Sequence, residues 1–131
     1  MERRIHNPWT WQDAAGFVQA NEVSGVTRTV FCAGQTSVNS EGVPVHEGDM
    51  ELQIVQAFAN VETVLAAAGM TPADIVRMTV YTTDVSGFLR SEGPFLERLR
   101  ETGCRQASTL IGVARLAHPS LLVELEATAV R

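Results

Sequence analysis

Residues Ala107–Val130, ASTLIGVARLAHPSLLVELEATAV, constrain the fold most, because their residues alternate with a period of two across two segments. In the first, Ala107, Thr109, Ile111 and Val113 fall on one face and Ser108, Leu110 and Gly112 on the other. In the second, Leu121, Val123, Leu125 and Ala127 alternate with Leu122, Glu124, Glu126 and Thr128. Both segments are expected strands, joined through a His118-Pro119-Ser120 turn. Glu124 and Glu126 then point the same way, roughly 6–7 Å apart by strand rise. Like charges that close cost stability unless water or a partner compensates, so this face belongs at a surface or at a site.

The clearest helix runs from Asp49 to Ala68, where Ile54, Phe58, Val61, Leu65 and Ala68 form one apolar stripe. Asp49 is placed to cap its start and Gly69 to end it. Thr71-Pro72-Ala73-Asp74 reads as a short capped turn, and Ile75–Thr83 as a strand. A second helix is expected from Ser86 to about Thr102, buried through Phe88, Phe95, Leu96 and Leu99 and broken at Gly93-Pro94. Upstream, Gly16–Val23 and Thr27–Ala33 read as the two strands of a hairpin around Ser24-Gly25, followed by a loop over Val38–Gly48. Residues 1–15 form an N-terminal arm whose Trp9 and Trp11 are suited to pinning it against the body or a neighbouring subunit. The order β-β-α-β-α-β-β predicts one α+β domain over residues 1–131, with two helices on one face of a single sheet. The other face is left bare, which favours an oligomer.

A net charge of −5 and the absence of a basic run argue against a nucleic-acid partner. No apolar stretch approaches membrane-spanning length and no export signal precedes the first strand, so a cytoplasmic protein without a membrane partner is expected. Two cysteines, Cys32 and Cys104, make no disulfide framework and are expected as reduced thiols. Cys32 lies in an apolar strand, while Cys104 lies beside Arg105, where a lowered pKa is weighed against an inert thiol and the inert thiol is favoured. His6, His46 and His118 lack metal-ligand spacing, and the nucleotide-loop and serine-hydrolase motifs do not occur. No metal or cofactor is expected. What remains is a convergence of Gly34-Gln35, Ser108 and Glu124 at loop and strand ends, by composition no more than a polar pocket.

Five segments resemble the Rid (YjgF) family of reactive-imine deaminases: GFVQA (16–20), FCAGQTSVNSEGVPVHEGDMELQ (31–53), NVETVLAAAGMTPADIVRMTVYTTDV (60–85), VARL (113–116) and LVELEATAV (122–130). The resemblance implies a chorismate-mutase-like fold, a homotrimer whose sheets form an inner barrel, and a small-molecule site in the cleft between subunits. It also implies hydrolysis of 2-imino acids, released by pyridoxal-phosphate dehydratases, to 2-keto acids and ammonia. In that family an arginine grips the substrate carboxylate, a glutamate holds or activates water, and a tyrosine and an asparagine line the cleft.

Carried over by position, the glutamate is Glu124, and Gly34 and Gln35 match the family's S-G-Q turn with Ala33 in place of its serine. The arginine position is Ser108, the tyrosine position is Phe17, and the asparagine position falls on or near Glu92. Arg105, three residues before Ser108, faces the other way in an extended strand. Losing a bidentate arginine removes charge-assisted bonds of about 1.5–3 kcal/mol each. The resemblance therefore implies a rewritten pocket: Glu124 orients water, while Phe17, Gly34, Gln35, Glu92, Ser108 and Leu110 contact the ligand. The expected substrate is a neutral or cationic imine, enamine or related small metabolite. The alternative is a non-catalytic trimer that binds or senses a small molecule, and a ribonuclease activity is disfavoured by the acidic charge.

Overall fold

The computed structural model describes residues 1–131. In chain order its elements are β1 (Glu2–His6), β2 (Ala20–Ser24), β3 (Thr29–Thr36), α1 (Met50–Ala67), β4 (Ile75–Thr82), α2 (Val85–Ser91), α3 (Gly93–Thr102), β5 (Ala107–Gly112) and β6 (Val123–Val130). Single 3-10 turns occupy Trp11–Ala15 and Pro72–Asp74. The alternation in β6 sets the layers. Val123, Leu125, Ala127 and Ala129 are buried under the helices, and Glu124, Glu126 and Thr128 point to the opposite, helix-free face. The main sheet has the order β3-β6-β4-β5, with β6 antiparallel to both neighbours and β5 parallel to β4. The two C-terminal strands are thus not paired with each other, since β4 lies between them.

Helix α1 follows its stripe, burying Ile54, Phe58, Val61 and Leu65 against β3 and β6. Asp49 caps it by accepting from the Leu52 N–H at 3.0 Å. The second helix breaks where proline was expected to break it, into α2 and α3 on either side of Glu92. Phe95 from α3 meets Phe58 edge-on at 5.4 Å and Phe88 at 6.3 Å, which locks the three helices over the sheet.

The N-terminal third departs from expectation. No hairpin joins Gly16–Val23 to Thr27–Ala33. Instead β2 pairs antiparallel with β1, inside the segment expected to be an arm, and β3 pairs with β6. The reason lies in Arg3. Its guanidinium donates to the carbonyls of Ala73 at 3.0 Å, Ile75 at 3.1 Å and Arg105, and its Nε to Asn21 Oδ1 at 2.8 Å. Asn21 in turn donates to the Val76 carbonyl at 2.8 Å. These bonds hold the β1–β2 ribbon against the start of β4 and the segment before β5, a docking that β3 does not offer. Trp11 packs edge-on against Phe17 at 5.8 Å, although both tryptophans stay mostly exposed.

The Pro72–Asp74 turn carries the expected capping box, and its carboxylate has a further partner in Arg131, whose Nε and Nη2 donate at 3.1 and 2.9 Å. Partial burial pushes the Asp74 carboxyl up, but hydrogen bonds from Arg131 and Thr71 outweigh it and leave the group below its ordinary value. A depressed carboxyl stabilises the fold above its unfolded pKa of about 4 and loses that contribution as pH falls through the lower folded value. Acid titration of wild type against Asp74→Asn should show the variant losing less stability below about pH 4; parallel curves would remove Asp74 from the account.

Candidate functional site

The expected site residues separate into two groups on opposite faces of the sheet. On the helix-free face, β3 carries a bulge between Cys32 and Gln35, so that Ala33 and Gly34 arch over β6. Glu124 pairs across the sheet with Thr36 on one side and Tyr81 on the other. Its carboxylate folds onto Gly34, so closely that a Cβ there would lie 1.9 Å from Oε1. Glycine at 34 is required by this approach rather than by a turn. The neighbouring Glu126 accepts from the Tyr81 hydroxyl at 3.3 Å, whereas Glu124 takes part in none of the chain's ion pairs. Gln35 is half-buried and donates to the Ala33 carbonyl at 3.1 Å, bracing the bulge.

On the helix-bearing side, Phe17, Glu92, Ser108 and Leu110 meet in a cavity of about 220 Å³ between β4–β5 and α2–α3. Ser108 and Leu110 reach it because residues of even number in β5 face the helices. Glu92 reaches it from the break between α2 and α3, and partial burial pushes its carboxyl above the ordinary value. Phe88, Phe95 and Leu99 complete the apolar floor. Gln106, which sequence reasoning missed, also lines the cavity. It is buried, donates from Nε2 to the Gly16 carbonyl at 3.0 Å and accepts the Cys104 thiol at 3.2 Å. A glutamine in step with Ser108 and Leu110 on a strand was the available signal.

Both cysteines are buried free thiols. Burial pushes the Cys32 thiol up and drives Cys104 to about 12, despite the opposing charge of Arg3. No group of three or more His, Cys, Asp or Glu side chains is placed to hold a metal ion, and no helix is long and apolar enough to cross a membrane.

An α+β sheet covered on one side, with a small-molecule-sized cavity under its edge and a free carboxylate on its open face, defines the class of domain. Residues 10–131 match the family described as Endoribonuclease L-PSP. A RutC family protein of Aquifex aeolicus is 31% identical over 129 residues, covering 98% of this chain and 99% of that one. The 2-iminobutanoate/2-iminopropanoate deaminase of Escherichia coli K12 is 31% identical over 103 residues, 78% of this chain and 79% of that one. Among solved structures, a protein of unknown function of the conserved Rid family from Yersinia pestis superposes with a TM-score of 0.89 at 37% identity, over the full length of both chains. The chain belongs to the Rid family, also called YjgF or L-PSP.

Proposed function

We propose that this chain hydrolyses a neutral or cationic imine or enamine with an apolar body, in a site completed by a second copy of the chain. The observation that carries the reading is the wall of the Ser108 cavity, where Glu92 is the only ionisable side chain among aromatic, aliphatic and uncharged polar residues. An anionic imino acid would meet a carboxylate and no cation there. A protonated or neutral imine gains from Glu92 and from the Ser108 hydroxyl instead.

Glu124 is the water-orienting group of this proposal, and it lies on the opposite face of the same sheet. Contact between Glu124 and a ligand in the Ser108 cavity therefore requires the open face of one copy to cover the cavity of another. Exposed Phe31 and Ile111 on that face support such a contact, and closure of three copies is the simplest symmetric way to repeat it. In the resulting step Glu124 takes a proton from water as oxygen bonds to the imine carbon, and the C=N electron pair moves to nitrogen. Glu124 returns that proton to nitrogen to give the carbinolamine, then carries the hydroxyl proton to the departing amine as the C–N bond breaks, releasing ammonia and the carbonyl product.

The test compares ammonia release from benzaldehyde imine, formed in place by an amine oxidase, with that from 2-iminobutanoate, formed by a threonine dehydratase. Wild type is expected to accelerate the first more than the second, and Glu124→Gln to slow it by about 100-fold or more. Preference for 2-iminobutanoate would overturn the substrate class. Saturable binding of benzylamine without turnover would support the non-catalytic alternative, and a monomer in sedimentation at micromolar concentration would remove the composite site.

A further inference from the structure

A second cavity, of about 350 Å³, shares Phe17, Leu96 and Leu99 with the Ser108 cavity. Phe17, Leu96 and Leu99 form its apolar floor, and Arg100, Arg105 and Asp13 stand on its rim. The volume falls in the range of small-ligand sites, which are mostly apolar with a few polar groups that fix orientation. Arg100 and Arg105 take no part in the chain's ion pairs, whose arginines are Arg4, Arg98 and Arg131. Two arginines without carboxylate partners thus line one concave surface.

The cavity is held open by its framework. Gly16, at φ +74°, forms part of the wall, and a Cβ there would lie 2.7 Å from Leu96 Cδ2, so any side chain would crowd the space. The backbone of Arg105 is fixed by Arg3 and by Asn21, whose Nδ2 donates to the Arg105 carbonyl at 3.0 Å. Leu99 is buried and anchors the floor. The exposed side chains of Arg100, Arg105 and Asp13 are left to adjust to a ligand.

We infer that this cavity binds a small organic acid, with its carboxylate between Arg100 and Arg105 and its apolar body on Phe17, Leu96 and Leu99. Planar guanidinium groups suit a carboxylate, and the aromatic and leucine floor suits a ring or branched chain. Asp13 on the same rim opposes a second negative charge, so a monoanion is favoured over a phosphate dianion. This site adjoins the proposed hydrolytic one through Phe17, Leu96 and Leu99 but has its own charged groups, and its test reads binding alone.

Calorimetric titration of the full chain with benzoate, phenyl phosphate and the neutral isostere benzamide makes the test. Benzoate should saturate one site per chain and bind at least about tenfold tighter than benzamide, the loss expected when one charge-assisted bond is removed. Phenyl phosphate should bind more weakly than benzoate. The exposed substitutions Arg100→Gln and Arg105→Gln should each lower benzoate affinity about tenfold, whereas Arg98→Gln, on the same helix but paired with Glu62 at 2.6 Å, should not. Benzamide binding as tightly as benzoate, equal losses in all three variants, or no saturation by benzoate would each overturn the inference. Tighter phenyl phosphate would overturn the carboxylate assignment.

Discussion

Gln53→Leu is expected to destabilise the fold by about 2–5 kcal/mol, with a fall in Tm on the order of 10 °C. Gln53 has no exposed surface, yet it lies on the core side of α1. Its Nε2 donates to the carbonyls of Ser120 at 2.8 Å and His46 at 3.2 Å, and its Oε1 accepts from the Leu122 N–H at 2.8 Å. One side chain thereby ties the loop before α1 to the connection before β6. Leucine matches the volume but leaves the Ser120 carbonyl and the Leu122 N–H without these partners, and each such group costs about 1–3 kcal/mol when kept from water. His46 suffers less, because its carbonyl also accepts from Asp49 N–H at 3.1 Å. Urea unfolding of both proteins measures the difference, and a loss below about 1 kcal/mol would show that water reaches the gap.

Gly34→Ala should leave stability nearly unchanged while lowering the proposed imine hydrolysis by about 100-fold. The new methyl would sit 1.9 Å from Glu124 Oε1, 2.7 Å from Cδ and 2.9 Å from Cγ, so the carboxylate must swing away. Glu124 is half-buried on an open face and can move at modest energetic cost, which separates its position from the stability of the core. A water held by that carboxylate would be misplaced by an ångström or more, enough for a loss of this size. Combining Gly34→Ala with Glu124→Gln should be no worse than Glu124→Gln alone, since both remove the same function. A Gly34→Ala enzyme with full rate would show that the bulge does not aim Glu124.

Period-two and helical spacing made the element types of the main layer legible, because burial of one face acts directly on local sequence. The partner of each strand was harder to read. Thr27–Ala33 carries the same signal whether it joins β2 or β6, and a contact distant in sequence decided between them. Arg3 illustrates the difficulty: a charged residue near a terminus suggests solvent, whereas here it donates to carbonyls of Ala73, Ile75 and Arg105. Gln53 left a clearer trace, since it falls on the same helical stripe as Met50, Ile54, Ala57 and Phe58. In the candidate site, alternation correctly placed Glu124 away from Leu125 and Ser108 beside Leu110. That these are opposite sides of one sheet depended on β4 lying between β5 and β6.

The central place of β6 also bears on how the chain reaches its fold. Thr29 in β3 pairs with Val130, and Thr82 in β4 pairs with Val123. During synthesis β3 and β4 emerge well before the strand that separates them, each presenting an unpaired edge to the other and to neighbouring chains. Direct β3–β4 pairing would be an attractive error, and it must be undone before β6 can enter. The early helix α1, which packs on β3, offers a temporary cover for the waiting apolar face. Folding yield should therefore depend on how long the nascent chain waits for β6, a kinetic vulnerability that the finished sheet conceals.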